Sequence, residues 1–109
     1  MHRLLALISL LITPLLCAAE TWNNVSIVDA NCSAKVKSNP DAHTRNCAKQ
    51  CAKSGFGIIT ADGQYLKLDA RGNEQALAAL KESQARDHLR ATVTGERDGD
   101  TIKVESLRM

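Results

Sequence analysis

Cys32, His43, Cys47 and Cys51 are the residues of this 109-residue chain with the most chemical reach. His43, Cys47 and Cys51 recur at intervals of four in HTRNCAKQC, and Cys32 lies eleven residues before the histidine. One imidazole and three thiols form a donor set for zinc, or for copper(I), which thiolates favour. The same cysteines could exchange disulfides beside a histidine, or staple two segments together. Which chemistry is open depends on the elements that carry them.

Asn39-Pro40-Asp41 reads as a helix start. Asn39 can cap, Pro40 has no N–H to leave unpaired, and Asp41 suits the positive end of the helix dipole. Lys53-Ser54-Gly55 reads as a helix stop. The signals predict one helix over 40–53. On it, His43 and Cys51 lie about 12 Å apart along the axis, with side chains leaning the same way. A single four-ligand site would need the first turn unwound. Neighbours one turn apart, His43 with Cys47 or Cys47 with Cys51, can still share a site with Cys32.

The same helix limits the disulfides. Cys47 and Cys51 would hold their Cβ atoms about 6 Å apart, beyond the roughly 3.5–4.5 Å that a disulfide takes. Cys32 is therefore the expected partner of either Cys47 or Cys51, and one thiol is left over. Thr44, Cys47, Ala48, Cys51 and Ala52 share one helical face, which suits a packed thiol. A reactive thiol would need exposure and a lowered pKa.

Outside this segment the chain reads as strands. TWNNVSIV alternates and predicts a strand at about 24–31. GFGIITADGQYLKLD is a hairpin with Asp62-Gly63 at its turn and strands at about 56–60 and 65–69. Asn73, with the Ala76, Leu77, Ala79 and Leu80 stripe, predicts a helix at 74–83. HLRATVTG and TIKVESL alternate as strands on either side of Asp98-Gly99-Asp100. Without the inserted helix the order is β-β-β-α-β-β, that of a mainly β, five-stranded OB-like barrel; a small α+β sheet is the runner-up.

The first nineteen residues read as a secretory leader. Met1-His2-Arg3 is a basic start, Leu4 to Leu16 is largely apolar, and Cys17-Ala18-Ala19 is a small-residue exit. Cleavage is expected between Ala19 and Glu20. The apolar run is too short to span a bilayer, so no stable membrane anchor is expected after cleavage. Leu16 before Cys17 is larger than the residue a lipid-modified cysteine follows. Residues 20–109 then form one exported domain, periplasmic or secreted, in a compartment where disulfides persist.

Composition removes several function classes. Losing Arg3 with the leader takes Lys plus Arg from 14 to 13, against 12 Asp plus Glu, and leaves +1. With Trp22, Phe56 and Tyr65 as the only aromatics, neither a basic groove nor a stacking platform for nucleic acid is present. Asp29, Asp41, Asp62 and Asp69 are the acid–base candidates. Asp41 is accounted for as a helix starter and Asp62 as a turn residue. Asp29 and Asp69 could meet only on neighbouring strands. The chain has no CxxC pair, haem-attachment motif, phosphate loop or nucleophile elbow.

VDANC, the cysteine-bearing segment, GFGIITADGQYLKLD and VTGERDGDTIKVESL together resemble a family of uncharacterised small secreted bacterial proteins with an OB-like barrel. The resemblance spans residues 20–109 and implies export and a fold, but no activity. The expected protein is a non-catalytic binding or structural module, tied by a disulfide and without cofactor. The sequence names no ligand or partner; an envelope protein, or a second copy joined through the odd cysteine, is open to it. The alternative is a zinc, copper or thiol-redox protein using Cys32, His43, Cys47 and Cys51.

Overall fold

The structure is a computed structural model and describes residues 19–109. Apart from Ala19, the expected leader and its Cys17 lie outside the described residues.

Glu20–Asp29 forms β1, Phe56–Ile59 β2, Tyr65–Leu68 β3, Arg90–Asp98 β4 and Thr101–Arg108 β5. They close into a barrel in the order β1-β2-β3-β5-β4. Neighbours are antiparallel except β3 and β5, whose short parallel pairing joins Lys67 to Thr101 and Leu68 to Ile102. Two short helices, α1 (Ser33–Val36) and α2 (Arg45–Gln50), lie between β1 and β2, and α3 (Ala70–Glu82) lies between β3 and β4. This is the five-stranded OB-like barrel with a helical insertion that the element order implies.

Alternation puts Ile27, Ile58, Leu66, Val93 and Ile102 inside the barrel with no more than 1 % exposure. Leu80 and Ala76 of α3 and Ala48 of α2 join the same cluster. Two glycines mark where elements come closest. At Gly57 a Cβ would sit 2.6 Å from Tyr65 Cε2, because the tyrosine ring lies across β2. Its hydroxyl donates to the Val28 carbonyl on β1 at 3.3 Å. At Gly72 a Cβ would meet Val104 Cγ2 at 2.5 Å and Leu68 Cβ at 2.9 Å, so α3 rests directly on β5 and the end of β3.

Several boundaries differ from the sequence expectation. β1 starts at Glu20, because Glu20, Thr21 and Trp22 pair with Gly95, Thr94 and Val93 of β4 before a register shift at Asn23-Asn24. α3 starts at Ala70, four residues early, because Asp69 caps it by accepting from Gly72 N at 2.9 Å. Asn73, the expected cap, lies inside the helix and accepts from Phe56 N instead.

The single helix expected over 40–53 is not formed. Pro40–Ala42 is one 3-10 turn, His43 and Thr44 are extended, Arg45–Gln50 is helical, and Ala52–Ser54 is another 3-10 turn. Thr44, not Asn39, caps the helix through Cys47 N at 3.2 Å. Asp41 is drawn away from any helix dipole by Arg90, whose Nε and Nη2 donate to its two carboxylate oxygens at 2.8 and 2.7 Å. The first turn is unwound, which removes the premise that kept His43 and Cys51 two helical turns apart.

Candidate functional site at the end of the first strand

β1 ends on Asp29, which has no solvent exposure. A buried carboxylate must have its lone pairs engaged. Oδ1 accepts from His43 Nε2 at 2.6 Å. Oδ2 accepts from Cys32 N at 3.0 Å, which caps the 3-10 turn Ala30–Cys32. His43, 5 % exposed, reaches Asp29 because its extended backbone turns the ring toward the barrel. The stem of the insertion closes beside this pair, where Ala30 N donates to Gly55 O at 2.8 Å.

Two thiols join the aspartate. One oxygen of Asp29 and the sulfurs of Cys32 and Cys51 all lie within 4.8 Å of one another. Cys51 arrives there as the residue after α2, its N–H still bonded to Cys47 O at 3.1 Å. Its sulfur accepts from Asn31 Nδ2 at 3.6 Å. Cys47 sits one turn earlier, exposed and outside this group. The three cysteines are free thiols, so the expected disulfide is not formed in this structure. Of the four residues expected to share a metal, Cys32 and Cys51 come together. His43 is spent on Asp29, and Cys47 stays outside the group.

Electrostatics bear on the redox alternative. Burial pushes the Cys32 thiol above its ordinary pKa, and the neighbouring Asp29 charge, its hydrogen bond and Cys51 push the same way. A raised pKa leaves less thiolate at neutral pH, the opposite of what an attacking cysteine needs.

The remaining acid candidates have structural posts. Asp41, its carboxyl held below the usual range first by the Arg90 hydrogen bonds, straps the insertion to β4. Asp62 accepts from the Thr60 hydroxyl at the hairpin turn, which lowers it. Asp69 caps α3, and β2 separates its strand from that of Asp29. An open groove of about 650 Å³ runs between α3 and the end of β5, lined by Gln75, Ala79, Glu82, Leu107 and Arg108 among others. None of the three aromatics lines it.

The role of Asp29 was missed in the sequence, though one signal pointed to it. It directly follows the apolar pair Ile27-Val28 at the end of the strand, where a charge needs a partner. No protein-family model, curated protein or solved structure matches this chain.

Proposed function

We propose that the chain is an exported, non-catalytic binding or structural module, whose inserted segment is fastened to the barrel by a Cys32–Cys51 disulfide. The observation that carries the reading is the convergence of the two sulfurs beside Asp29, with Cys47 exposed and apart. An oxidised bond there would close the loop across the whole insertion and stabilise by roughly 3 kcal/mol on the chain-entropy model. The leader-like first nineteen residues supply the oxidising compartment that the bond needs. The raised Cys32 pKa supports a staple over a nucleophile. The resemblance to small secreted barrel proteins agrees with this assignment and brings no activity with it.

Cys47 then remains the odd thiol, placed where a second copy or an envelope protein could reach it. The test is a thiol count on protein recovered from its own compartment. One reactive thiol per chain before reduction and three after supports the staple. Three before reduction overturns it.

A further inference from the structure

We propose that in its dithiol form the trio Asp29, Cys32 and Cys51 is a binding site for Zn²⁺. The proposal shares with the disulfide reading only the facing sulfurs. The two states exclude each other, since a sulfur in a disulfide is no thiolate ligand.

The three donors come from three short elements fixed by their own backbone bonds. Asp29 ends β1, Cys32 ends the turn that Asp29 caps, and Cys51 follows α2. Zinc bonds of about 2.3 Å to sulfur and 2.0–2.2 Å to oxygen place tetrahedral ligands roughly 3.5–3.8 Å from one another. The observed donors lie within 4.8 Å. Binding at this trio therefore requires the donors to draw in by about 1 Å.

Three further features favour a cation. The ligand set carries three negative charges once both thiols lose their protons, and the ion-pair partner of Asp29 among the described residues is His43. His43 holds Oδ1 as a supporting histidine holds a ligating carboxylate, fixing its orientation before metal arrives. Cys32 and Cys51 are half-buried, so the fourth position opens to water. Two thiolates with a carboxylate suit the borderline softness of zinc, whereas copper(I) favours sulfur ligands. This ligand set differs from the one the sequence spacing suggested: Asp29 replaces His43 as a direct donor, and Cys47 has no part.

The test uses the full chain, reduced and kept free of oxygen. Cobalt(II) is titrated as a spectroscopic stand-in and then displaced by Zn²⁺. The expected result is one metal per chain, with a thiolate-to-cobalt charge-transfer band. Cys32→Ser and Cys51→Ser should each weaken zinc by roughly 100-fold or more, and His43→Gln by about 10- to 100-fold. Cys47→Ser should leave affinity unchanged. In the unaltered chain, Zn²⁺ should protect Cys32 and Cys51 from alkylation while Cys47 is modified at its metal-free rate, a readout that needs no variant to fold. Absence of the band, or equal protection of all three cysteines, overturns the site. A reduced chain that ignores zinc, but oxidises to a Cys32–Cys51 bond, overturns the metal site alone. A chain that binds zinc at this trio, but oxidises to another pairing, overturns the disulfide alone.

Discussion

Asp29 and His43, fourteen residues apart, meet in a 2.6 Å hydrogen bond, with side chains no more than 4 % exposed. The bond fastens the insertion to the last residue of β1. It also holds the aspartate beside Cys32 and Cys51.

His43→Ala should cost roughly 3–5 kcal/mol, the usual loss when one partner of a buried polar pair is removed and the other is stranded. Asp29→Asn should cost less, because its amide oxygen can still accept from Cys32 N. Urea unfolding of the two variants checks the order. A loss under about 1 kcal/mol for His43→Ala, the scale of an exposed pair, would mean the bond does not fasten the insertion.

Gly72→Ala sets two effects against each other. Alanine is the better helix former by about 1 kcal/mol. Its Cβ, however, would meet Val104 Cγ2 at 2.5 Å and Leu68 Cβ at 2.9 Å. Overpacking of that kind costs about 1–3 kcal/mol. The clash should win, and the variant should unfold at lower denaturant than the parent. A more stable variant would show that α3 can lift from β5 at little cost.

The barrel was legible because its signals are local. Alternating apolar residues and the Asp62-Gly63 turn need nothing beyond their own segment to specify strands and a hairpin. The insertion was not legible, for the opposite reason. Asn39-Pro40-Asp41 carries sound helix-start signals, but Asp41 is claimed by Arg90, forty-nine residues away. His43 is claimed by Asp29 on another element. Thr44, the residue that does cap, is an ordinary capping type three positions before Cys47, and a reading centred on Thr44 would have found α2. Asp69 was overlooked in favour of Asn73 because Gly72, which lies inside the observed helix, is a poor helix former. The pairing of Cys32 with Cys51 rather than Cys47 follows from where α2 ends, so it could not be read before that boundary was known.

Tyr65 is the only tyrosine and should titrate alone. Burial, and next the Asp29 charge, push it from 10.0 up to about 12. The folded state therefore keeps a proton that the unfolded chain has already lost. Stability from this group is fully present below 10.0 and should be lost as pH rises from 10.0 towards about 12. Phenolate absorbance should show the high midpoint in the folded protein and a return to the ordinary value in denaturant. An ordinary midpoint in the folded state would mean that the ring does not lie across β2.

Arg90 and Asp41 should couple across the insertion in a pH-dependent way. The Asp41 carboxyl is depressed, first by its hydrogen bonds to Arg90. Its contribution is thus present above the ordinary carboxylate value and is lost as pH falls through the depressed one. A double-mutant cycle of Arg90→Met and Asp41→Asn should show coupling at neutral pH and none in strong acid. Coupling that is the same at both would place the interaction elsewhere.

The most direct measurement is a tryptic map of the oxidised chain, alkylated without reduction. Cleavage after Lys49 separates Cys47 from Cys51 and makes the assignment unambiguous. The expected map joins the Cys32 peptide to the Cys51 peptide and finds Cys47 alkylated. A Cys32–Cys47 link with Cys51 alkylated would contradict the geometry at the end of β1, and so would three alkylated cysteines.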